Sequence, residues 1–324
     1  ATAAGSSPMT LLLARRVGQM LLIMAFASLI LFLIFDTDQF KKKIAVAELG
    51  GFAVSALSEE AYQDWLAEKG LDAPFYQRYI TWIGDVLTGD FGHSFEKNTA
   101  VGPLLADRLW NTAILAFWVF ALMIPLALVT GVLAGMREGS TTDRALSFVS
   151  VFTTSIPEIA TAILLTVFLA LGLGWLPAKA AMIQGFDPWQ LVLPVLTLVL
   201  YGFGYIARMT RASMAEVMTS NYIRTAVLKG LPYRRVIMGH ALRNALIAPF
   251  TVIVLQLNWL LSGVVVVEVF FEYDGFGKML LEAALFGDIY VVQGATLIAV
   301  VVACSSQIIS DIGYTFLNPR IRFS

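Results

Sequence analysis

Charged residues are scarce in this chain of 324 residues, in which Asp, Glu, Lys and Arg together make up 14% of the sequence. About a quarter of the residues of a soluble domain are charged, whereas this chain is 58% hydrophobic and has a mean hydropathy of +0.76. The shortage of charge argues against an ordinary soluble domain and indicates a membrane protein.

Cysteine and histidine are almost absent. Cys304 is the single cysteine, so neither an internal disulfide nor a cysteine-type zinc site can form. His93 and His240 are far apart in the sequence, which makes a histidine-based metal site improbable. The phosphate-binding pattern G-x-x-x-x-G-K-[ST] is also missing, so ATP hydrolysis by that mechanism is not expected. We therefore expect neither a metal site nor an ATP-hydrolysing site in this chain.

Long apolar runs account for most of the chain. A membrane core about 30 Å thick needs roughly 20 apolar residues per helix. We place six such segments at 17–35, 112–136, 145–175, 189–207, 245–267 and 289–317. The first could be a secretory signal, because AVA at 45–47 resembles a cleavage site, but its length favours an anchored helix over 9–35. Residues 1–8, which precede Met9, are interpreted as a cloning remnant.

Lys and Arg are distributed unevenly among the predicted loops. Of the 22, the N-terminus, the second-to-third loop, the fourth-to-fifth loop and the tail hold 13, whereas Lys179 and Lys278 stand alone in the two short loops on the opposite side. The remaining seven lie in the long segment between the first two spans, and segments of that length cross membranes largely regardless of charge. Loops rich in Lys and Arg usually remain in the cytoplasm. We therefore expect a multi-pass membrane protein with both termini in the cytoplasm.

The first two spans are separated by a long outer segment, residues 36–111. Within it, SEEAYQDWLAEKG predicts a helix that is capped by Ser58 and ends at Gly70. A second helix, FYQRYITWIGDVL, is ended by the sequence TGD at 88–90. The two helices predict an extracytoplasmic helical cap, and an amphipathic pair resting on lipid headgroups is the alternative.

A basic stretch, NYIRTAVLKGLPYRRVIMGHALRNA, lies at 221–245 between the fourth and fifth spans. Ser220 or Asn221 can cap a short helix there, while Gly230 and Pro232 can end it. The helix would carry an apolar stripe of Tyr222, Ile223, Ala226 and Val227. A short capped helix between two membrane helices is a suitable lever for a partner protein, and a solvated basic loop is the competing interpretation.

Several motifs in chain order carry a resemblance to a known family. They include GDFGHS, RLWNTAILA, YIRTAVLKGL, HALRNALIAP, VVVVEVFF, GFGKMLLEA, DIYVVQG and LNPRIR. From about Leu57 to Arg322 the chain resembles permeases of binding-protein-dependent ATP-driven importers, in the oligopeptide, dipeptide and nickel group. The resemblance implies an all-α type I ABC importer permease of six transmembrane helices in the bacterial inner membrane. It also implies a transport subunit that is not an enzyme and has no catalytic residues or cofactor of its own. Its parts would be the cap at 36–111, a five-helix core at 112–317 and a cytoplasmic tail at 318–324.

The resemblance also implies a coupling helix near 221–231 that docks on a cytoplasmic ATPase. The residues carried over to this contact are Asn221, Tyr222, Arg224, Thr225, Ala226, Lys229, Gly230 and Leu231. The chain departs from the wider pattern at Arg224, where Glu is usual, and at DTDQFKKKIAVAELGG, where a Pro-Gly-Asp-Pro run is frequent. The implied partners are a homologous permease, two subunits that bind ATP and Mg, and a periplasmic or lipid-anchored binding protein. Membrane lipid is expected as well, and nucleic acid is not.

Polar residues at membrane depth are candidates for the pore, because such residues are costly in lipid and usually functional. The candidates are Glu158, Gln256, Asn258 and Trp259. Each could instead be buried against a neighbouring helix, and for Asp311 that structural role is favoured. Gly202 and Gly204 are expected to permit close helix packing.

Five acidic residues between the fifth and sixth spans are candidates for docking the binding protein. They are Glu268, Glu272, Asp274, Glu282 and Asp288. A solvated loop would explain the charges but not the apolar run MLLEAALF among them.

The function expected from these features is half of a translocation pore, with peptides as the first candidate cargo. Nickel chelates, opines, oligosaccharides and polyamines are alternatives within the same class. A secondary transporter would be expected to show inverted repeats and more charges at membrane depth. A non-transporting scaffold or receptor would need neither polar pore residues nor a coupling helix.

Overall fold

The computed structural model describes the backbone of residues 8–183 and 185–317. Side chains are described for residues 14–183, 185–256, 264–310 and 312–313. Most of the predicted cloning remnant and the whole predicted tail, 318–324, therefore lie outside the described residues.

The described chain is almost entirely helical. Its helices are α1 (Pro8–Phe35), α2 (Asp38–Leu49), α3 (Gly51–Ala56), α4 (Glu59–Glu68), α5 (Phe75–Thr88), α6 (Val101–Gly135), α7 (Thr141–Ser155), α8 (Glu158–Leu165), α9 (Pro188–Met218), α10 (Asn221–Leu228), α11 (Tyr233–Val236), α12 (Leu242–Ala245), α13 (Ile247–Phe270), α14 (Phe276–Phe286) and α15 (Ile289–Leu317). Two π-helical segments, Thr166–Gly172 and Ile237–Ala241, interrupt the series. Two strands of two residues each, β1 (His93–Ser94) and β2 (Thr99–Ala100), pair antiparallel as a hairpin.

Among the described residues, four helices are long and apolar enough to cross a membrane. They contain Ala14–Phe35, Val101–Gly135, Pro188–Met218 and Ile289–Ser310. Two bent pairs of helices, Thr141–Ser155 with Glu158–Gly172 and Tyr233–Ala245 with Ile247–Gln256, pass the same test. The predicted number of six spans is reached when each bent pair counts as one.

The third predicted span is not the continuous helix over 145–175 that the apolar run suggested. The chain bends by 101° between α7 and α8. Ile156 adopts an extended conformation before Pro157, as the proline ring disfavours a helical residue at the preceding position. The bend makes Glu158 the first residue of a new helix.

The fourth and fifth spans also differ from the prediction. Helix α9 continues to Met218, well beyond residue 207. The fifth span begins with α11 rather than at residue 245, and it bends by 50° after Ala245. Pro249 has no N–H to donate to the carbonyl of Ala245, which weakens the helix at that point.

Two compact units are distinguished within the chain, and the first comprises residues 1–109 and 279–305. In this unit Phe32 of α1 contacts an aromatic row on α5, formed by Phe75, Tyr79 and Trp82. Arg78 donates two hydrogen bonds to the carboxylate of Asp36, immediately after α1. The end of α1 is therefore fixed to α5 by both apolar and ionic contacts.

The two helices predicted in the outer segment are confirmed. Ser58 occupies the N-cap of α4, and its hydroxyl accepts a hydrogen bond of 3.3 Å from the N–H of Ala61. Gly89 ends α5 in the left-handed conformation, with φ of +88°. The segment at 36–56, for which the sequence offered no expectation, forms α2 and α3.

The second unit comprises residues 110–278 and 306–324 and is organised around α9. Helices α7, α8 and α13 pack on α9, and its apolar side chains form the centre of the core. The completely buried members include Leu115, Val119 and Met123 of α6, Leu198 and Ile206 of α9, and Val264 and Val267 of α13. Because α9 is buried along most of its length, its neighbours determine its position.

Glycines permit the close approach of helices to α9. A Cβ atom at Gly202 would lie 2.6 Å from the sulfur of Met123, and one at Gly204 would overlap the carbonyl of Ser150, which confirms their predicted packing role. Gly131 and Gly135 of α6 face α9 in the same way, with the carbonyls of residues 207 and 211 at 2.5 and 2.6 Å from the added Cβ atoms. The pair forms a small-xxx-small contact.

Two arginines of α9 bind α7, and together with Asp143 they are called the arginine clasp. Arg211 donates two hydrogen bonds, of 3.0 and 2.8 Å, to the carboxylate of Asp143. Arg208 donates to the carbonyl of Ser150 at 3.0 Å and to the hydroxyl of Thr154 at 2.7 Å. Both arginines were counted in the basic fourth-to-fifth loop, but they belong to a helix and hold a neighbouring helix.

Gly131→Leu is expected to destabilise the second unit. The new side chain would overlap Thr210 and the backbone of α9, and overpacking of this kind costs about 1–3 kcal/mol. Gly18→Leu is the control, because nothing lies within 4 Å of a Cβ at that helical position. Thermal unfolding in detergent should show a lower Tm for Gly131→Leu only. Equal Tm values would contradict the close-packing account.

Arg211→Met should lower the Tm more than the control variant Arg144→Met. Arg144 is exposed next to Asp143 at the start of α7 and does not belong to the arginine clasp. The side chain of Asp143 is 4% exposed, and loss of its partner leaves a buried carboxylate unpaired, at a cost of about 2 kcal/mol or more. The double variant Arg211→Met with Asp143→Leu should recover part of the loss in the same thermal scan. No recovery would show that the two residues do not act as a pair.

Candidate functional site

The short helix predicted near 221–231 is present as α10, and its role in coupling stays a prediction. Ser220 occupies the N-cap, although its hydroxyl donates to the carbonyl of Val217 and does not cap the helix. At the other end Gly230 has φ of +74°, and its N–H donates to the carbonyl of Val227 at 2.9 Å. Pro232 begins the next segment. A left-handed glycine followed by proline thus limits α10 to two turns.

One face of α10 is anchored in the second unit. Ile223 and Ala226 are 2% and 7% exposed, and they belong to a cluster with Met214 of α9 and Val236 of α11. The hydroxyl of Tyr222 also accepts a hydrogen bond of 2.9 Å from the side chain of Asn244. The helix is therefore supported by the spans on both sides of it.

The opposite face of α10 is exposed. The exposed residues are Asn221, Tyr222, Arg224, Thr225, Val227, Leu228, Lys229 and Gly230. Leu228 is 79% exposed and Val227 is 52% exposed. The centre of the predicted apolar stripe, Ile223 and Ala226, is therefore buried, whereas Tyr222 and Val227 at its two edges are exposed. Leu231 is half-buried and packs against the cluster.

Only Thr219 and Ser220 separate the end of α9 from the start of α10. A two-residue connection leaves little slack, and the buried face of α10 contacts α9 directly through the apolar cluster. A force on α10 would therefore act on α9, and through the arginine clasp on α7. This arrangement has the geometry of a lever joined to the membrane helices.

Glu158 lies where the third span bends. It is partly buried as the first residue of α8, and its Oε1 atom is buried without a hydrogen-bond partner among the described residues. Helix α8 packs on α9 and α13. An unpaired carboxylate oxygen at membrane depth can accept a hydrogen bond from a cationic or polar group that comes from outside the chain.

Gln256 is half-buried on α13 and faces α9, because its Nε2 atom would lie 3.5 Å from a Cβ at Gly202. That position supports a contact between helices as readily as a contact with cargo. Asn258 and Trp259, the other two pore candidates, have side chains outside the described part of the chain. Their roles remain predictions.

Glu268 is completely buried, which removes it from the predicted docking surface. Its carboxylate accepts hydrogen bonds from the hydroxyl of Thr112 and, at 2.9 Å, from the N–H of Lys278. Gly275 and Gly277 leave room for this carboxylate, since a Cβ at either position would crowd it. Glu268 therefore organises the loop between α13 and α14 and is not available to a docked protein.

The same loop is fixed by a second buried residue that the sequence gave no reason to choose. The hydroxyl of Tyr273 donates to the carbonyl of Asn111 at 2.7 Å, and the side chain of Asn111 donates to the carbonyl of Asp274 at 2.9 Å. Burial raises the pKa of Tyr273 above its ordinary value. Contacts across more than 160 residues have no local sequence signal.

Two of the docking candidates lie on this ordered loop. The side chain of Glu272 is 48% exposed and pairs with Lys179 at 2.6 Å. Asp274 is exposed to the same extent, and its carboxylate is 2.9 Å from the Lys278 ammonium. Both carboxylates remain accessible on the second unit.

The other two docking candidates belong to the first unit. Asp288 is 3% exposed and accepts hydrogen bonds from the hydroxyl of Ser94 and, at 3.3 Å, from the N–H of Glu96. It holds the β1–β2 hairpin and so is withdrawn from the docking surface, like Glu268. Glu282 lies 3.6 Å from the ammonium of Lys97, and its side chain is 32% exposed.

Residues 127–323 match the model of a protein family described as "Binding-protein-dependent transport system inner membrane component". The match covers more than half of the chain and includes α10, both bent spans and the loop that Glu268 organises. The region that matches the family therefore contains α10 and the candidate pore residues.

Similar proteins cover nearly the whole chain. A Brucella abortus (strain 2308) protein described as a peptide transport system permease is 34% identical over 97% of this chain and all of its own length. The oligopeptide transport system permease protein AppB of Bacillus subtilis (strain 168) is 32% identical over 82% of this chain and 87% of its own. A crystal structure of an amino acid ABC transporter with histidines has a TM-score of 0.51 at 13% identity, over 65% of this chain and 93% of that one. The chain belongs to the inner-membrane component family of binding-protein-dependent transport systems, and its fold is that of a type I ABC importer permease.

Proposed function

We propose that this chain forms half of the translocation pore of an ATP-driven importer of peptides. The observation that carries the proposal is α10, whose buried face is anchored in its own bundle while its other face presents bare Val227 and Leu228. Exposed apolar side chains on an ordered helix are typical of a protein interface. An ATPase that grips this face would have a direct connection to α9.

The proposed assembly contains a homologous second permease, two ATP-binding subunits and a periplasmic or lipid-anchored binding protein. ATP and Mg would be bound by the ATP-binding subunits, because this chain has no phosphate-loop sequence. We place both termini and α10 in the cytoplasm, on the distribution of Lys and Arg between the loops. For the binding protein we keep as docking candidates Glu272 and Asp274 of the second unit and, separately, Glu282 of the first unit, all on the opposite side of the membrane.

The proposed mechanism is alternating access. Closure of the ATPase dimer around ATP moves α10, and α9 and α7 follow because the apolar cluster and the arginine clasp hold the three helices together. The pore then opens outward and receives cargo from the binding protein. Hydrolysis releases the ATPase dimer and returns the pore to its inward-facing state.

Peptide cargo is supported by the names of the Brucella and Bacillus relatives. A peptide enters the pore with an α-ammonium group, and Glu158 offers a carboxylate oxygen that is unpaired in the described structure. Glu158 would therefore accept the amino terminus of the peptide within the membrane. Nickel chelates, opines, oligosaccharides and polyamines are the remaining cargo classes for the same architecture.

Leu228→Glu should release the ATP-binding subunits while leaving the chain folded. A charge in the centre of an apolar contact is expected to weaken the interface at least tenfold. The measurement is the amount of ATP-binding subunit that co-purifies with the chain in mild detergent, together with ATPase activity stimulated by binding protein. Leu87→Glu is the control, because Leu87 is 80% exposed on α5 of the other unit. Undiminished co-purification with Leu228→Glu would refute docking through this face.

Glu158→Gln should lower uptake of a dipeptide with a free amino terminus about tenfold, because the amide oxygen still accepts a hydrogen bond but lacks the charge that strengthens it. Uptake should be measured in vesicles at saturating binding protein, so that the binding protein does not set the rate. An N-acetylated dipeptide should lose much less, and Glu216→Gln, at an exposed acid on α9, should change neither rate. Equal losses for both peptides would assign Glu158 a structural role.

A further inference from the structure

An apolar groove lies in the second unit between the end of α6 and the α11–α12 segment. Its volume is about 530 Å³, and apolar side chains form almost all of its wall. The residues used below to define it are Val129, Leu133 and Met136 of α6, with Met238 and Leu242 opposite. The hydroxyl of Tyr233 donates to the carbonyl of Met136 at 3.3 Å and closes one end.

The groove is open, and no described part of the chain covers its apolar walls. Val129 and Leu133, one turn apart on α6, are 57% and 49% exposed, and Met238 is 64% exposed. These side chains belong to a span, where lipid is the surrounding solvent. A groove of this character can take a hydrocarbon chain without any polar group having to be satisfied.

Basic side chains lie at the groove and near it. Arg234 is one of the lining residues, and Arg235 and Arg243, which do not line the groove, are exposed on the same short segment. In the part of the chain that the structure describes, none of these three arginines forms an ion pair with an acidic residue. A hydrocarbon wall that ends at unpaired guanidinium groups matches a molecule with an apolar chain and an anionic head.

We propose that the groove binds one acyl chain of an anionic phospholipid, with the phosphate of the headgroup at Arg234 and Arg235. A basic pocket between helices at the cytoplasmic surface is a recognised kind of site for anionic lipid headgroups. Each basic residue near the surface strengthens attraction to anionic lipid by roughly fivefold. The assignment to the inner leaflet rests on the proposed orientation of the chain in the membrane. The match of the groove and the arginines to an anionic lipid does not depend on that orientation.

A protein segment fits these features less well than a lipid. An acidic loop of a partner could neutralise the arginines, but it would leave the adjoining hydrocarbon wall without a matching surface. A lipid satisfies both parts with one molecule that is always present. Because α11 follows α10 after Gly230 and Pro232, a bound lipid would also brace the segment that joins the coupling helix to the fifth span.

Native mass spectrometry of the full chain, purified with its partner subunits and delipidated in mild detergent, tests the proposal. Dioleoyl phosphatidylglycerol and dioleoyl phosphatidylcholine are titrated separately as probes. Phosphatidylglycerol should bind at least tenfold more tightly, and the variant Arg234→Glu with Arg235→Glu should reduce its affinity to that of phosphatidylcholine. Arg144→Glu makes a charge change of the same sign at an exposed site away from the groove and should change the affinity less than twofold.

The hydrocarbon part is tested by Leu133→Trp, which should fill the groove and weaken both lipids. Glycerophosphoglycerol, the headgroup without acyl chains, should compete only at a concentration more than a hundredfold higher. Competition at equal concentration would show that a free phosphate group is the ligand and would overturn the lipid assignment. Equal binding of the two lipids, or release of a partner subunit by the arginine variant with lipid binding unchanged, would overturn it as well. The readout needs neither ATP nor transport, so it is independent of the proposed importer activity.

Discussion

The close packing of α9 is the constraint on which the rest of the second unit depends. The close approach of α6 and α7 to α9 requires positions without a side chain, at Gly131 and Gly135 on α6 and at Gly202 and Gly204 on α9 itself. At its polar end the arginine clasp continues the same contact with hydrogen bonds to α7. Apolar packing and charged contacts thus hold one helix against its neighbours along most of its length.

The same constraint bears on the proposed coupling role of α10. A short helix on a loose loop could be gripped by a partner without moving anything else. Here α10 shares a buried apolar cluster with α9 and α11, and only two residues connect it to α9. Displacement of α10 therefore acts on helices that reach the bend beside Glu158. The proposed ATP-binding subunits would act on the pore through this connection.

Local chemistry made part of the fold predictable. The cap at Ser58 and the left-handed glycines at 89 and 230 defined α4, α5 and α10, because each signal acts within a few residues. The pair of Asp143 and Arg211 could not be predicted, since tertiary packing alone joins two charges 68 residues apart. The burial of Glu268 and Asp288 was missed for the same reason. In the sequence both acids were interpreted as exposed docking residues, because most of their hydrogen-bond partners lie far away along the chain and give no local signal.

The central claim is that α7, α9 and α10 move as one body, and a distance within the assembled transporter tests it most directly. Spin labels at Arg144, at the start of α7, and Lys229, at the end of α10, would be placed in a chain whose Cys304 is replaced by serine. Double electron–electron resonance would then compare the nucleotide-free transporter with the ATP-trapped one. The account predicts an unchanged distance between the labels in one chain while the distance between Lys229 labels in the two permeases changes. A change in the distance within one chain, with none between the permeases, would contradict it.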